Sequence, residues 1–466
     1  MEPLSLTAAD IAAATAGEVV RGSPRADIGR IGIDSRTIAA GECFVAIRGE
    51  RFDGHDFLAD VVARGAGAVV VDRDVPDLGE TSAIVIRVDD TLQALQEIAR
   101  DVRQRSGTRV VAITGSAGKT TTKEVAAEFL ASRYRVFRNK GNLNNHIGLP
   151  LSLLELRTRP EIAVVELGMN HPGEIRTLVG IAEPDVRVWT NVGDAHLGFF
   201  ESADAIADAK AEILDGGGAD DVLVANANDG RVMSRAEWFL GHVVTFGIDT
   251  YADVTASHVE HRGLAGTSAQ LQTSAGTGTL TTPLLGLANL SNVLAATAVA
   301  IQFEVPVSEI VEAAARLRPA THRGELLRLP GGVTLIDDSY NSSPAALRQA
   351  LETVRAASGC ARKIAVLGEM LELGAHAESR HQESGRVAAA SGLDLLIAVG
   401  GDAAQVLADA AVAAGMPRDA VIALATSAEA ADLALARVRP GDLVLVKGSR
   451  GIGTDAVVAR LKAEYA

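Results

Sequence analysis

Residues 109–123 read RVVAITGSAGKTTTK, an apolar run followed by a glycine-containing turn, a lysine and three threonines. Residues 110–114 are predicted to form a buried strand, and a helical pattern continues through Val125, Phe129 and Leu130. A strand, a glycine turn and a Lys-Thr pair at a helix start are typical of a phosphate-binding loop. Glycines let backbone N–H groups approach phosphate oxygens, and a helix N-terminus favours negative charge.

The lysine and the first threonine of this turn suit a nucleotide. Lys119 can neutralise the outer phosphates, and the Thr120 hydroxyl is a suitable ligand for Mg²⁺. The spacing GxxGKT is shorter than the common GxxxxGK[ST], because Ile113 stands where the first glycine would fall. The alternative is a glycine turn followed by an ordinary surface lysine, but the predicted strand and helix on either side favour phosphate binding.

The bulk composition argues against several classes of protein. The 466 residues suffice for two to four domains, and 47% hydrophobic with 22% charged residues is typical of a globular chain. A net charge of -15 and 3% aromatic residues argue against a nucleic-acid partner. Cys43 and Cys360 give neither a disulfide framework nor metal-finger spacing. We see no signal peptide, and polar residues interrupt the apolar window 284–303, so we expect a cytoplasmic protein without membrane insertion. We also expect a monomer.

Strand and helix patterns indicate an α/β protein of three domains, expected at 1–90, 91–319 and 320–466. The first is a small α/β domain that begins with a helix over 6–16, for which Thr7 is a possible cap. Its polar clusters 34–36 and 48–55 can bind a ligand or form solvated turns. A helix over 91–105 leads into the second domain. The strands predicted in the first domain span 31–34, 43–47, 69–72 and 84–88.

The second domain alternates strands with helical patterns, which predicts a mostly parallel sheet with helices on both faces. Residues 255–282, rich in Thr, Ser and Gly, are predicted to add antiparallel structure at its edge. The third domain repeats the alternation and is expected to form a second doubly wound sheet. The strands predicted in these two domains span 110–114, 162–166, 186–191, 222–226, 243–247, 334–337, 364–368, 395–399, 421–425 and 443–446.

Ligands of open parallel sheets collect beyond the carboxyl ends of the strands, so polar residues there are candidates for function. Glu166 ends an apolar strand and can hold Mg²⁺ or pair with a lysine. His196, in a glycine-flanked loop, can ligate a metal or hydrogen-bond within the loop. Lys210 lies on a predicted helix and is expected to be a solvated surface group. Asn289 and Asn292 share one helix face, where they can read a base edge or cap the helix.

The third domain has polar clusters after three of its predicted strands, at residues 337–341, 368–376 and 447–450. Arg323 stands at the entrance to this domain. The carboxyl ends of parallel strands meet at one edge of a sheet, so these clusters are expected to lie together. Polar strand ends that face a neighbouring domain predict an active site between domains.

Nine short runs occur in order along the chain: TGSAGKTT (114–121), NKGNLNNHIGLP (139–150), VELGMNHPGEI (165–175), NVGDAHLGFF (191–200), DAKAEI (208–213), NLSNVLAA (289–296), DDSYNSSPAAL (337–347), GEMLELG (368–374) and VKGSRG (446–451). Together they resemble the Mur ligases, ATP-dependent amide-forming enzymes of bacterial peptidoglycan synthesis. The resemblance covers the whole chain. It implies a UDP-muramoyl-binding first domain, a central P-loop-type ATPase-like domain and a Rossmann-like third domain.

The resemblance also implies a reaction and its cofactors. ATP would phosphorylate the C-terminal carboxylate of a UDP-muramoyl-tripeptide, and the amine of D-alanyl-D-alanine would then attack the acyl phosphate. Lys119 is implied at the transferring phosphoryl group, and Mg²⁺ is implied as a cofactor held by Thr120, Glu166 and His196. Lys210 matches a lysine that is carbamylated in this family. A carbamate is an anion, which is the opposite of the solvated surface cation that the helix pattern alone predicts.

The other site residues follow from the same resemblance. ATP contacts are implied for Gly115, Ser116, Gly118, Lys119, Thr120, Thr121, Asn289, Arg323 and Asp337. The uridine-nucleotide face is implied at Ser35, Arg36, Asp53, Gly54 and His55. The muramoyl-peptide side is implied at Asn144 and Asn145. Asp338, Tyr340 and Asn341 are implied near the incoming dipeptide, with Asn341 and Tyr340 as further nucleotide or dipeptide contacts.

The nearest alternatives are other ligases of the same superfamily, such as an earlier Mur ligase or a folylpolyglutamate synthase. The N-terminal RGERFDGH loop (48–55) argues against the folate enzyme. The alternative from another class is a nucleotide-dependent switch, but the sequence has no Asn-Lys-x-Asp base-reading motif after a strand. A catalytically inactive relative is disfavoured because Lys119, Glu166 and Lys210 are all in place.

Overall fold

The structure, a computed structural model, describes residues 2–75, 81–193 and 197–465. The chain forms two compact units, each assembled from segments that are distant in sequence. The first unit contains Met1–Ala112, Tyr134–Arg187 and Asp215–Asp221. The second contains Ile113–Arg133, Val188–Leu214 and Val222–Ala466. The domain boundaries expected at 90/91 and 319/320 remain predictions.

The first unit begins with short strands and helices. In chain order they are β1 (Leu6–Thr7), α1 (Ala8–Ala14), β2 (Glu18–Arg21), β3 (Asp27–Ile28), β4 (Ile31–Gly32), β5 (Cys43–Val45), α2 (Leu58–Ala63), β6 (Ala68–Val71), β7 (Ile84–Arg87) and α3 (Thr91–Ser106). The predicted cap is confirmed, since Thr7 Oγ1 accepts a hydrogen bond from Asp10 N and the Asp10 carboxylate accepts one from Thr7 N. Helix α1 starts later than the predicted 6–16 because Leu6 and Thr7 form β1, which pairs with β3, and it ends at Ala14, shortly before Ala16 with φ +49°.

The N-terminal sheet has the strand order β2-β7-β6-β5-β4. Its neighbours from β4 to β7 are parallel, and β2 is antiparallel to β7. The four strands predicted in this region are confirmed, with ends that differ by up to two residues. Phe44, Val69 and Val85 pack on Leu58 and Val61 of α2, which gives this sheet its own hydrophobic core.

The middle of the chain alternates strands and helices, as its pattern predicts. The elements are β8 (Arg109–Thr114), α4 (Lys119–Leu130), β9 (Val136–Arg138), α5 (Gly148–Leu153), β10 (Ile162–Glu166), α6 (Glu174–Ala182), β11 (Val186–Trp189), α7 (Ala203–Ala211), β12 (Val222–Asn226), α8 (Gly230–Ala236), β13 (His242–Ile248), β14 (Val254–His261), β15 (Thr267–Thr273), β16 (Gly276–Thr282), α9 (Gly286–Gln302) and α10 (Val307–Ala314).

Parallel pairing dominates this region. In the first unit β9 pairs in parallel with β10, and in the second unit β12, β13 and β14 are successive parallel neighbours. The antiparallel addition predicted over 255–282 is confirmed, since β15 pairs antiparallel with both β14 and β16. The alternating exposure of β15 and β16 explains the Thr- and Ser-rich sequence, because one face of these strands meets solvent.

The C-terminal part of the second unit is a doubly wound sheet with the order β17-β18-β22-β19-β20-β21. All its neighbours are parallel except β17, which is antiparallel to β18 at the edge. Its elements are β17 (Glu325–Arg328), β18 (Thr334–Asp338), α11 (Pro344–Ala356), β19 (Lys363–Gly368), α12 (Ala377–Ala389), β20 (Leu395–Val399), α13 (Asp402–Ala413), β21 (Val421–Leu424), α14 (Ser427–Arg437), β22 (Leu443–Lys447) and α15 (Asp455–Glu464).

Each strand of this sheet contributes to two hydrophobic cores. Ala365 and Leu367 of β19 pack with α11, α12 and α13, whereas Ile364 and Val366 pack with α14 and α15. Successive side chains of a strand point to opposite faces, so a sheet covered on both sides needs a continuous apolar run. The predicted doubly wound sheet is therefore confirmed.

Candidate active site

Two glycines shape the turn between β8 and α4. Gly115 has φ +148°, and Gly118, which precedes the first residue of α4, has φ +85°. A Cβ atom on Gly115 would lie 1.9 Å from Thr190 Oγ1, and one on Gly118 would lie 2.2 Å from Asn292 Oδ1. Both positions therefore need glycine for the backbone conformation and for the packing of the turn.

The loop after β11 holds this turn in place. Asn191 Nδ2 donates to Ala117 O at 3.0 Å, and Asn191 Oδ1 accepts from Ala117 N at 2.9 Å. Thr190 Oγ1 also donates to Ala117 O, at 2.7 Å. Ser116 Oγ accepts from Gly193 N at 2.9 Å and donates to Gly193 O at 3.2 Å. Strand β11 ends at Trp189 rather than at the predicted Asn191. Thr190 N still donates to Thr114 O at the end of β8, whereas Asn191 O accepts from Ser116 N in the turn.

The polar side chains of the predicted phosphate-binding loop gather around the start of α4. Lys119 Nζ donates to Gly115 O at 2.7 Å, so the amine lies against the loop. Thr120 and Thr121 lie in the first turn of α4 and are half-buried. An amine and a helix N-terminus beside a glycine loop are groups that bind phosphate oxygens.

Asn292 supports the glycine turn from α9. Its Oδ1 accepts a hydrogen bond from Thr122 Oγ1 at 3.3 Å, and its Nδ2 donates to Asn289 Oδ1 at 3.3 Å. Asn289 Nδ2 donates in turn to Leu285 O at 2.8 Å. Asn289 therefore bonds the carbonyl of the residue that precedes α9, and both alternatives for these amides, reading a base edge and capping the helix, remain predictions.

The expectation that Lys210 is a solvated surface group is wrong. The residue lies on the buried face of α7 and is 1% exposed. Burial, and then the positive charge of Lys119, lower the pKa of the Lys210 amine well below 10.5. No described carboxylate forms an ion pair with it. The sequence around it, DAIADAKAEI, placed the lysine on a helix but could not reveal which face of that helix is covered.

In the first unit, Glu166 lies at the end of β10 in an asparagine-lined site. Its carboxylate is buried and accepts a hydrogen bond from Asn144 Nδ2 at 2.5 Å. Asn139 Oδ1 accepts from Glu166 N at 3.3 Å, and its Nδ2 donates to Leu143 O at 2.9 Å. Asn145 has a different role, because its Oδ1 accepts from Gly148 N at 2.8 Å at the start of α5. Of the two asparagines predicted here, Asn144 therefore contacts the strand-end carboxylate directly.

The predicted uridine-binding residues form two internally bonded loops. Hydrogen bonds from Arg36 lower the pKa of the Asp34 carboxyl to about 2, and Ser35 O accepts from Arg64 at 2.9 Å. Arg36 itself is exposed. Ser35 and Arg36 thus lie in the loop between β4 and β5, and their role as substrate contacts remains a prediction.

The second of these loops is built around Asp53 and His55. Asp53 Oδ1 accepts from His55 Nδ1 at 2.7 Å, and His55 Nε2 accepts from Asp72 N at 3.2 Å, which assigns the imidazole proton to Nδ1. Burial by itself raises the pKa of Asp53, but hydrogen bonds from His55 and Arg73 outweigh it and lower the pKa. A Cβ atom on Gly54 would lie 2.8 Å from Ala46 Cα, so close packing also requires this glycine.

Two adjacent carboxylates end β18. Asp337 is buried, and its oxygens accept from Ser339 Oγ at 2.6 Å and contact His322 Nδ1 at 2.7 Å. Asp338 Oδ2 accepts from the buried Lys447 Nζ at 2.6 Å. His322 was not predicted from the sequence as a functional residue, although it directly precedes Arg323. Lys447 was recognised as part of a polar cluster, but its pairing with Asp338 depends on the parallel register of β18 and β22.

The loop after Asp338 carries the remaining predicted dipeptide contacts. Asn341 O accepts from Lys447 Nζ at 3.0 Å, and Tyr340 N donates to His322 O at 3.2 Å. The guanidinium carbon of Arg323 lies 4.1 Å from the centroid of the Tyr340 ring. These predicted residues are therefore brought together at one edge of the C-terminal sheet.

A buried histidine that sequence reasoning missed supports the loop after β19. His381 Nε2 accepts from Met370 N at 2.9 Å, and Nδ1 lies 2.7 Å from Ala377 O. Burial lowers the pKa of His381, which agrees with a neutral ring that accepts at Nε2. In the sequence, its position on α12 five residues after His376 gave no sign that it would turn inward.

His196, the remaining predicted metal ligand, lies outside the described residues. Over 2–75, 81–193 and 197–465 no group of three or more His, Cys, Asp or Glu side chains is arranged as a metal site. Within the same ranges, none of the helices has both the length and the apolar character to cross a bilayer.

The fold and the loop after β8 define an α/β protein with the architecture of a P-loop-type nucleotide-dependent enzyme. Family models match three parts of the chain: the Mur ligase family catalytic domain over 27–103, the Mur ligase middle domain over 113–300, and the Mur ligase glutamate ligase domain over 322–450. The chain belongs to the Mur ligase family, and it is an ATP-dependent ligase that forms amide bonds.

Individual relatives agree with this assignment. The UDP-N-acetylmuramoyl-tripeptide--D-alanyl-D-alanine ligase of Bacillus subtilis is 37% identical over 370 residues, which is 79% of each chain. The ligase of the same name from Synechocystis is 35% identical over 450 residues, which is 94% of this chain and 92% of the relative. A crystal structure of MurF from Acinetobacter baumannii has a TM-score of 0.89 at 32% identity, covering 99% of this chain and 100% of that one. MurF of Thermotoga maritima in complex with ADP has a TM-score of 0.83 at 29% identity, covering 94% and 97%.

Proposed function

We propose that this ligase joins D-alanyl-D-alanine to UDP-N-acetylmuramoyl-tripeptide and converts ATP to ADP and phosphate. The observation that carries the proposal is the name shared by curated relatives that align with most of this chain. The glycine turn with Lys119 and the strand-end carboxylates of β18 support it, because the reaction needs a phosphate site and a polar site for a charged amine.

The chemistry takes two steps. An oxygen of the tripeptide's terminal carboxylate attacks the γ-phosphorus of ATP, the bond from that phosphorus to the bridging oxygen breaks, and ADP leaves. The amine nitrogen of the dipeptide then attacks the acyl carbon, the bond to the phosphate oxygen breaks, and the nitrogen loses a proton. Phosphate is a better leaving group than hydroxide, so activation makes the amide bond accessible. Positioning of the substrates and neutralisation of phosphate charge then suffice, and no covalent bond between enzyme and substrate is needed.

In this proposal the phosphates of ATP lie against the turn before α4. Lys119 neutralises the transferring phosphoryl group and backbone N–H groups of 115–121 bind phosphate oxygens. The hydroxyl of Thr120 and the carboxylate of Glu166 suit Mg²⁺, which prefers oxygen ligands, and His196 completes the expected ligand set. When bound, Mg²⁺ supplies further neutralisation of phosphate charge.

Lys210 is proposed to carry a carbamate. Carbamylation requires a neutral amine, whose nitrogen attacks CO₂, forms an N–C bond and loses a proton. The buried Lys210 amine with its lowered pKa meets this requirement, whereas a solvated lysine at neutral pH is protonated. The modification places an anion near the positive charge of Lys119, so that the two side chains attract each other.

The substrate contacts are proposals as well. The uridine nucleotide is assigned to Ser35, Arg36, Asp53, Gly54 and His55, and the muramoyl-peptide side to Asn144 and Asn145. Asn289, Arg323 and Asp337 are assigned to ATP, and Asp338, Tyr340 and Asn341 to the dipeptide. A monomer that works in the cytoplasm, where ATP is supplied, belongs to the same proposal.

A substrate-omission assay tests the proposed function. We expect purified protein to release phosphate when ATP, Mg²⁺, UDP-N-acetylmuramoyl-tripeptide and D-alanyl-D-alanine are all present. It should release little phosphate when either the UDP-linked tripeptide or the dipeptide is left out. Mass spectrometry of the reaction should show the pentapeptide in equal amount to phosphate. Phosphate release that depends on neither the UDP-linked tripeptide nor the dipeptide would contradict the proposal and point to a nucleotide switch.

A further inference from the structure

Two guanidinium groups lie on one aromatic ring at the edge of the C-terminal sheet. The guanidinium carbon of Arg323 is 4.1 Å, and that of Arg450 5.7 Å, from the centroid of the Tyr340 ring. Cations at this distance are attracted by the electron density of an aromatic face. We call Arg323, Tyr340 and Arg450 the arginine pair site.

The two cations of this site have no acidic partner in the part of the chain that the structure describes. Neither Arg323 nor Arg450 forms an ion pair or a side-chain hydrogen bond there, although the chain has 59 acidic and 44 basic side chains. Their neighbours differ, since Lys447 is paired with Asp338 and His322 with Asp337. Both cations thus lie within 5.7 Å of one ring centroid without an acidic partner among the described residues, which favours the binding of an anion there.

The backbone around the site is held from several sides. Asp338 of β18 is in register with Lys447 of β22, and the Lys447 amine bonds both Asp338 Oδ2 and Asn341 O. Tyr340 lies between these two anchor points in sequence, and its N–H donates to His322 O. Arg450 follows Lys447 by three residues, after Ser449, whose hydroxyl accepts from Leu371 N at 2.9 Å. Both guanidinium groups are therefore carried by fixed backbone rather than by free loops.

We propose that Arg450 of this site binds the C-terminal carboxylate of the incoming dipeptide directly and that Tyr340 positions it, while Arg323, over the same ring, keeps the ATP contact proposed above. The inference rests on the proposed function. The dipeptide carries an ammonium group at one end and a carboxylate at the other. The amine nitrogen of the dipeptide has to reach the acyl phosphate. The C-terminal carboxylate of the dipeptide is therefore the charged group that the enzyme can bind throughout the reaction. A guanidinium group matches a carboxylate with two parallel hydrogen bonds.

The same chemistry could serve a phosphate group of the nucleotide, and kinetics separate the two anions. We suggest full-length Arg450→Gln, assayed with D-alanyl-D-alanine and with D-alanyl-D-alaninamide, which lacks the carboxylate. With the dipeptide we expect KM to rise roughly 10- to 100-fold, the range for losing a charged hydrogen-bond partner. With the amide, Arg450→Gln and wild type should have equal KM within about twofold, and KM for ATP should not change.

Three variants complete the experiment. Arg386→Gln, an exposed arginine on α12, is the matched control and should behave as wild type. Tyr340→Phe keeps the ring and should keep KM for the dipeptide, whereas Tyr340→Leu should raise that KM while leaving the KM for the amide unchanged.

The outcomes against the inference are distinct. A rise in KM for ATP instead of the dipeptide assigns the site to a nucleotide phosphate. Equal losses with dipeptide and amide mean that Arg450 has a structural role. If wild type turns over neither acceptor in the presence of ATP and UDP-N-acetylmuramoyl-tripeptide, the proposed function itself fails, and the dipeptide fails with it as the occupant of the site.

Discussion

Lys210 and Lys447 are two buried lysines whose surroundings give them different chemistry. Lys447 donates to Asp338 at 2.6 Å, so its charge is balanced. Lys210 faces the positive charge of Lys119 and has no carboxylate partner among the described residues, and the pKa of its amine falls. At the scale of the residue, it is the neighbour across the fold that decides whether a buried amine stays a cation or loses its proton.

The lowered pKa of Lys210 predicts a pH dependence of stability. At pH values between the lowered pKa of the folded state and 10.5, the amine is neutral in the folded protein and protonated in the unfolded chain. Unfolding therefore takes up a proton in this pH range. The free energy of unfolding should therefore rise with pH in that window, by up to about 1.4 kcal/mol per pH unit more than in Lys210→Met. Denaturant unfolding in CO₂-free buffer measures both slopes. Parallel pH profiles would show that Lys210 keeps an ordinary pKa.

A second prediction at this scale concerns the turn before α4. Gly115→Ala should destabilise the protein by about 1–3 kcal/mol and abolish stabilisation by ATP, because the new Cβ collides with Thr190 Oγ1 at φ +148°. Gly180→Ala is the matched control. It lies within α6, its Cβ meets no atom within 4 Å, and alanine is expected to stabilise a helix by about 0.5–1 kcal/mol. Similar unfolding free energies for the two variants would contradict this account of the turn.

At the scale of the element, loops from different strands fix one another. Gly198, which closely follows the undescribed residues 194–196, donates its N–H to Glu372 O at 2.8 Å. Glu372 lies in the loop after β19 and has φ +65°. The same loop is held by His381 at Met370 N and by Ser449 at Leu371 N. Gly198, two residues after His196 in sequence, is thus bonded to a loop of the C-terminal sheet.

Gly198→Ala tests the importance of this loop contact. A Cβ atom on Gly198 would lie 2.9 Å from both Glu372 O and Gly374 N, which are backbone atoms that cannot rotate away. We expect a loss of about 1–3 kcal/mol in unfolding free energy and a lower kcat. Gly230→Ala is the control, since its Cβ meets nothing within 4 Å. Calorimetry and the phosphate assay give the two values, and a Gly198→Ala enzyme as stable and active as the control would show that the contact is dispensable.

At the scale of the whole molecule, the residues predicted to bind the uridine nucleotide lie in one compact unit, and those predicted to bind the phosphates of ATP lie in the other. Ser35, Asp53 and His55 belong to the first unit, whereas Gly115, Lys119 and Thr120 belong to the second. A ligand that binds the folded state raises stability in proportion to the logarithm of its concentration over Kd. Binding of nucleotide and of UDP-linked substrate can therefore be measured separately as stabilisation.

Lys119→Ala should separate the two ligands. With wild type, a non-hydrolysable ATP analogue at 100 times its Kd should stabilise the protein by about 2.7 kcal/mol. The variant should lose most of that stabilisation at the same analogue concentration, because one cation opposite the phosphates is missing. Its turnover should also be abolished. Its stabilisation by UDP-N-acetylmuramoyl-tripeptide should stay close to wild type. Loss of both effects together would mean that the binding functions are misassigned.

Local patterns predicted most of the regular structure. Strands β10, β12 and β20 have the predicted bounds, because a buried strand reads as a short apolar run between polar residues. Strands β2, β9 and β17 were missed. They are short, carry exposed or half-exposed residues, and depend on a neighbouring strand for their conformation.

The amino-acid sequence was sufficient for the α/β class, for the glycine turn with Lys119 and Thr120, and for the family, because these depend on residue types at fixed local spacing. The burial of Lys210, the pairing of Asp338 with Lys447 and the gathering of Arg323 and Arg450 on Tyr340 were decided by tertiary structure. Burial and charge pairing arise from residues that are distant in the chain. A helix sequence does not state which face a neighbouring element covers, and a strand sequence does not state its partner's register.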